Sequence, residues 1–308
     1  MKRRRVAGAL LIAVAAVVTA LTAYRNHDYR PRFARVAGEL VAVRDSTDFG
    51  AARDGKQLTE VTLLSDTGFA VRARVRADGA PSGERYPAAI LLGGYKTGRK
   101  AVDIPAHTGN LVLLSIEYPY AGPERPRGMD WVRYFGTMRR AILDTPPAVL
   151  LAAQYLYSRR DVDPERVTVI GVSLGVPFSV AAAATDKRIA GAALLHGGGD
   201  ISTMAYYAFA DRGPAWVMRA LSWGLSWVVA PLEPTRYAGE LAPRPALMVN
   251  AADDEFIPRS SVLELYGSLR QPKRIVWLES AHVATSDEEV VDGLMSITLD
   301  WMNERGLR

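Results

Sequence analysis

Six short apolar runs recur along the chain at spacings that leave room for a helix between most of them. They are Pro87–Gly94, Asn110–Ile116, Val167–Val172, Ile189–Leu195, Pro245–Asn250 and Arg274–Leu278. Runs this short and this continuous predict strands buried on both faces, the signature of a parallel sheet covered by helices. Ahead of them, Glu60–Leu64 and Phe69–Val75 flank the turn cluster Ser65-Asp66-Thr67-Gly68, which predicts a hairpin. The alternation Val71-Arg72-Ala73-Arg74-Val75 reads as a half-buried edge strand. Asp78–Arg85 is a Gly/Pro/Ser loop. Helical patterning covers Thr137–Arg159, with an interruption expected at Pro146-Pro147, and Ser286–Glu304 at the C-terminus. The fold class that follows is α/β, a mostly parallel doubly wound sheet with flanking helices.

Two stretches break this rhythm. Val6–Ala23 is eighteen residues without a charge, preceded by Lys2-Arg3-Arg4-Arg5. As a helix it would be about 27 Å long, close to the hydrocarbon thickness of a bilayer. Residues 1–24 therefore read as an uncleaved signal-anchor or as a cleaved signal peptide, with the anchor favoured because the apolar run exceeds a usual signal core. Basic residues follow the span as well, at Arg25, Arg30, Arg32 and Arg35, so charge asymmetry alone does not orient it. A signal-like N-terminus keeps its own basic end inside, which puts the domain outside the cytoplasm, membrane-anchored or exported. Residues 25–58 read as a charged connector with one helix around Phe33–Val43, and 59–308 as the folded domain. The second break, Asp200–Leu241, is rich in aromatics, and Trp216, Trp223 and Trp227 fall on one face of a helix.

Composition narrows the chemistry. The chain has 308 residues, 49% of them hydrophobic, and no cysteine, so disulfides, zinc–thiolate sites and thiol nucleophiles are excluded. The net charge of +5 is misleading. Residues 1–37 hold eight basic side chains and one acid, leaving −2 on the rest of the chain. The folded part is mildly acidic, which gives no argument for a nucleic-acid partner.

The strand Val167–Val172 runs into Gly171-Val172-Ser173-Leu174-Gly175, and the small-residue helical run Ser179–Ala184 follows. Strand, sharp turn and helix with one serine at the apex is the context in which Gly-x-Ser-x-Gly carries chemistry. The flanking residues must be small because strand and helix nearly touch there. This stretch resembles the nucleophile elbow of the α/β-hydrolase superfamily, and the likeness extends over roughly residues 59–305. The lead-in Asp163-Pro164-Glu165-Arg166 resembles those of its dienelactone-hydrolase-like and prolyl-oligopeptidase-like branches, although Val176 stands where the peptidases often have a further glycine.

The resemblance implies a site. Ser173 would be the nucleophile. The superfamily's acid follows the strand Pro245–Asn250, commonly as Asp-x-x-(Val/Ile)-Pro, which selects Asp254 ahead of Asp253. His282, just past Arg274–Leu278, would be the base, whereas His27 and His107 lie in unsuitable places. The backbone N–H of Leu174 and one from Gly94 or Tyr95 would form the oxyanion hole. Leu92 stands where this family often has histidine, a departure that a backbone donor tolerates. His196, at the end of Ile189–Leu195, reads as structural or substrate-lining because no second histidine lies at metal-ligand spacing. Residues of about 200–241 would be a small helical cap, an ordinary amphipathic helix on the sheet, or a surface lying on a bilayer.

The expected activity is carboxylester hydrolysis through an acyl-enzyme on a small-molecule substrate, with no cofactor or metal. A prolyl-oligopeptidase-like peptidase and a non-catalytic hydrolase-fold binding protein are the alternatives, and thioester hydrolysis or acyl transfer is also compatible. Neither the substrate nor the oligomeric state is legible in the sequence.

Overall fold

The computed structural model describes residues 2–78, 83–94, 96–123 and 128–308, with side chains at all of these except 2–12, 14 and 131. Nine strands form one sheet: β1 (Leu40–Ala51), β2 (Gln57–Ser65), β3 (Ala70–Ala77), β4 (Tyr86–Leu92), β5 (Val112–Ile116), β6 (Val162–Val172), β7 (Gly191–Leu195), β8 (Ala246–Ala251) and β9 (Lys273–Leu278). Their spatial order is β1-β2-β3-β5-β4-β6-β7-β8-β9. The first three pairings are antiparallel, and every pairing from β5–β4 onward is parallel. The six apolar runs are β4 to β9. Strands β5, β7 and β8 are buried at every position, as continuous apolar runs require.

Helices cover both faces. Helices α1 (Lys2–Asn26), α2 (Arg30–Ala37), α3 (Asp130–Arg133), α4 (Phe135–Ser158) and α5 (Gly175–Thr185) precede β7, and α6 (Ile201–Phe209), α7 (Ala215–Val229), α8 (Arg259–Ser268) and α9 (Glu288–Glu304) follow it. One core cluster joins α2, α4, α5 and α8 to the sheet through Phe33, Leu151, Val180 and Leu265. On the opposite face, Leu294, Met295 and Trp301 of α9 pack with Ala101 and Val102 from the 3-10 turn Gly98–Asp103.

The structure corrects three local expectations. Residues 25–58 are not a connector: they hold α2, with Phe33 fully buried, and β1, which pairs with β2 and forms the edge of the sheet. Strand β3 is therefore interior, between β2 and β5, and its polar alternation has a different cause. Arg74 and Arg76 are buried and paired. Arg76 meets Asp54 at 2.7 Å and donates to the carbonyls of Val102, Pro105 and Ala106 at 2.7–3.0 Å. Arg74 pairs with Glu60 and Asp103. These bonds tie segment 98–106 down beside the sheet.

The third correction is α4, which runs through Pro146 and Pro147 without a break. Pro147 has no N–H to give to the Leu143 carbonyl four residues back, the usual reason a helix fails at proline. Arg32 Nη1 of α2 donates to that carbonyl at 2.7 Å instead, so the Leu143 acceptor is not left bare.

Helices α6 and α7 form a hairpin that reaches back over the parallel strands' carboxyl ends, and Leu225 of α7 shares a cleft with Leu174 and Phe178. This is the expected small helical cap. The outer face of α7 is unpacked, with Trp216, Leu221 and Trp223 exposed by 76%, 62% and 56%. Among the described residues no helix is long and apolar enough to cross a membrane. The side chains of Val6–Ile12 and Val14, eight of the eighteen residues on which the anchor was expected, lie outside the described ones. The C-terminal end of α1 is tied to the domain: the Arg25 guanidinium sits 5.8 Å from the Trp227 ring centre, and Tyr24 packs against the core.

Candidate active site

The turn from β6 to α5 puts Ser173 in the left-handed region at φ 53°, which a residue with a Cβ adopts at a cost of roughly 1–2 kcal/mol. Close packing holds it there. A Cβ on Gly175 would lie 2.0 Å from the Leu92 carbonyl oxygen, and one on Gly171 2.6 Å from Ser179 Oγ. The two glycines are thus required by the approach of strand and helix. Ser173 N–H donates to Leu195 O at 2.9 Å, and its carbonyl accepts from Val176 N–H at 3.0 Å, so the apex is bonded on both sides.

Strands β8 and β9 deliver the other two side chains. Ser173 Oγ lies 2.9 Å from His282 Nε2, and His282 Nδ1 lies 2.7 Å from Asp254 Oδ2. The second carboxylate oxygen of Asp254 accepts the N–H groups of Phe256 and Ile257, each at 2.8 Å. Burial alone would push the Asp254 pKa up. The His282 hydrogen bond and the two backbone N–H groups outweigh it and hold the carboxyl below its ordinary value. Asp253, the other candidate acid, is exposed and only its backbone is engaged, with N–H to Ser280 O at 3.3 Å. The structure therefore brings together Ser173, His282 and Asp254, and not Asp253.

The loop after β4 faces the serine. Gly94 lines the same pocket as Ser173 and His282. Tyr95, its alternative as an oxyanion donor, lies outside the described residues. The loop is held by side chains: Thr97 Oγ1 donates to Gly94 O at 2.8 Å and Tyr118 Oη donates to Gly93 O at 2.6 Å. Beneath it, Arg99 bridges Glu60 and Glu117. Among the described residues neither Leu174 N–H nor Gly94 N–H donates to a protein acceptor.

His196 is the residue whose role the sequence leaves vague. It is fully buried behind His282, with ring centres 5.5 Å apart. Its Nδ1 accepts the Val283 N–H at 3.1 Å, which fixes the proton on Nε2 and pins the chain next to His282. Ligand atoms of His196, Asp254 and His282 lie within 4.8 Å of one another. The Nδ1 of His196 accepts from Val283 N–H and the Nδ1 of His282 faces Asp254.

Burial, reinforced by the neighbouring His282, pushes the His196 pKa down to about 4 from an ordinary 6.5. Between those values the unfolded chain binds a proton that the folded one refuses. Stability is therefore expected to fall as pH drops from about 6.5 to 4, by about 3 kcal/mol from this group. Urea unfolding across that range checks it: His196→Asn should remove this part of the pH dependence, and an unchanged slope would overturn it.

A nine-stranded sheet with a parallel majority, a serine on a strained strand-to-helix turn, and acid and base after the last two strands define the α/β-hydrolase fold. The chain has that fold, and solved structures share it. An acetyl xylan esterase from Paenibacillus sp. R4 superposes with a TM-score of 0.63 at 15% identity, over 90% of this chain and 98% of that one. A cold-adapted esterase from an Arctic intertidal metagenomic library gives 0.60 at 18% identity, over 86% and 99%. A puromycin-hydrolyzing peptidase from Mycobacterium tuberculosis gives 0.59 at 16% identity, over 84% of this chain and 46% of that one. The sequence matches no family profile and no curated protein.

Proposed function

We propose that the chain is a serine hydrolase that cleaves carboxylic esters through an acyl-enzyme. The observation that carries this reading is the continuous relay from Ser173 Oγ through the His282 ring to Asp254, at 2.9 and 2.7 Å. A serine hydroxyl is a weak nucleophile until a neutral imidazole takes its proton. His282 Nε2 would accept that proton as Ser173 Oγ bonds to the substrate carbonyl carbon. Asp254 holds the proton on Nδ1 and stabilises the imidazolium. The tetrahedral oxyanion would rest on the N–H groups of Leu174 and Gly94. His282 then protonates the leaving alcohol, and water attacks the acyl-enzyme by the same route to release the acid and restore Ser173.

The reading is tested by treating the full chain with a fluorophosphonate and mapping the modified peptide by mass spectrometry. Modification at Ser173 is expected. A folded chain that stays unmodified would favour a binding protein with this fold. The peptidase reading draws on the puromycin-hydrolyzing neighbour. Comparing ester and peptide-amide substrates separates the two, with esters expected to be turned over faster.

The N-terminal segment would hold this hydrolase at a membrane with the domain outside the cytoplasm, or export it if the segment is cleaved. Supporting this are the uncharged stretch Val6–Ala23 behind four basic residues, and the exposed Trp216, Leu221 and Trp223 on α7, the helix that Arg25 of α1 touches. Cell fractionation with external protease checks it. Recovery of the intact chain only in the cytoplasmic fraction would sink it.

A further inference from the structure

Two recesses of different size lie at the serine turn, one lined by Ser173 and the other by the neighbouring Leu174. One runs down between the Gly98–Asp103 turn and α9, with Ser173, His282 and Gly94 at its mouth. Its walls are the ends of the central strands (Leu91, Ile170, Leu195) facing Ala101, Leu294 and Met295. It also carries threonines, but the two deepest hydroxyls are turned away. Thr97 Oγ1 donates to Gly94 O at 2.8 Å, and Thr298 Oγ1 donates to Leu294 O at 2.7 Å. A substrate group inside would therefore meet no free donor from either. The other recess, which Leu174 and Leu225 of the cap help to line, is larger; Met138, Ile142 and Phe178 make it mostly apolar as well, with Lys96 and Glu117 as its charged groups.

We infer that the substrate is an asymmetric ester in which one side of the scissile bond bears a compact apolar group of about four to six carbons, seated between the Gly98–Asp103 turn and α9. This rests on the serine-hydrolase reading and adds the size and polarity of the group. The recess has a volume of about 130 Å³. Apolar cavities of about 150 Å³ stay dry and admit benzene, so the space suits a butyl-to-hexyl chain or one aromatic ring and is too small for a long fatty chain. An acetyl group would leave most of the apolar wall uncovered. Each methylene that fits is worth about a three- to fourfold gain in kcat/KM, so three of them give about 50-fold over acetyl. A carbohydrate portion would leave most of its hydroxyls unpaired in this recess, so the bulkier part of the molecule belongs in the larger recess, where Lys96 and Glu117 offer polar partners.

The mouth touches both the oxyanion loop and His282, so the apolar group can belong to the acid or to the alcohol, and two substrate series tell them apart. The first is p-nitrophenyl esters of straight-chain acids from two to twelve carbons. The second is acetates of straight-chain alcohols over the same lengths, followed by acid release. The full chain is used throughout, with fluorophosphonate modification of Ser173 measured alongside. One series is expected to peak at four to six carbons, about 50-fold above its two-carbon member, and to fall by ten or twelve.

Met295→Trp should move the peak to shorter chains, and Leu294→Ala to longer ones. The opposed shifts keep the test sharp if one variant fails to fold. Modified Ser173 with both series flat, peaking at two carbons or rising through twelve overturns this inference alone. An unmodified serine without turnover in either series overturns it together with the hydrolase reading.

Discussion

Replacing Ser173 with alanine is expected to lower kcat for a p-nitrophenyl ester by on the order of 10⁶-fold and to abolish fluorophosphonate modification. The oxyanion donors and both recesses stay in place, so whatever turnover survives measures binding and polarisation alone. The fold should not notice the change. Ser173 Oγ contributes one hydrogen bond, to His282, and the bonds that fix the apex are made by its backbone to Leu195 and Val176. Ser173→Gly separates strain from chemistry. The serine's φ of 53° costs roughly 1–2 kcal/mol for a residue with a Cβ. Glycine removes that cost but loses roughly 0.5–1 kcal/mol to its freer unfolded chain. Urea unfolding should therefore find Ser173→Gly more stable than Ser173→Ala by about 0.5–1 kcal/mol, with both inactive. Retained turnover in either variant would remove Ser173 from the mechanism. Equal stabilities would mean that the strain relieved only matches glycine's loss, and a Ser173→Gly less stable than Ser173→Ala by roughly 0.5–1 kcal/mol would mean that the turn stores no strain.

The same strain explains why the elbow was legible before any coordinates. A left-handed apex between a strand and a helix demands small residues on both sides, and Gly171 and Gly175 spell that demand locally. The central strands were legible for a related reason: a strand buried on both faces has no polar positions to disguise it. Where burial is uneven, the pattern misleads. Strand β1 is exposed along most of its length, so after Leu40–Val43 it carries no apolar run and reads as connector. Strand β3 alternates like an edge strand because Arg74 and Arg76 point into a layer of acids and carbonyls contributed by residues distant in the chain. In helix α4 the carbonyl that Pro147 leaves without a donor is taken up by an arginine 111 residues away. His196 belongs to the same class. Its partner, Val283, is 87 residues downstream, and nothing near His196 announces it.

Asp254→Asn is expected to lower kcat about 10⁴-fold with little loss of stability, and the reason lies in which atoms the aspartate already uses. One carboxylate oxygen accepts the Phe256 and Ile257 N–H groups, both at 2.8 Å, and only the other faces His282. An asparagine must keep its carbonyl on the two N–H donors, since turning the amide over would set NH₂ against both of them. Its NH₂ is thereby forced toward His282 Nδ1, which can then only accept. The ring proton moves to Nε2 and points at Ser173 Oγ, so the imidazole can no longer take the serine's proton. Asp253→Asn, at an exposed side chain one residue earlier, should leave kcat within about twofold. Parallel rates of fluorophosphonate modification check that the loss lies in activation of the serine. A large loss in the Asp253 variant with a small one in the Asp254 variant would reassign the acid. Comparable small losses in both would mean that the imidazole keeps its working tautomer without a carboxylate, and the relay would then have to be read as packing.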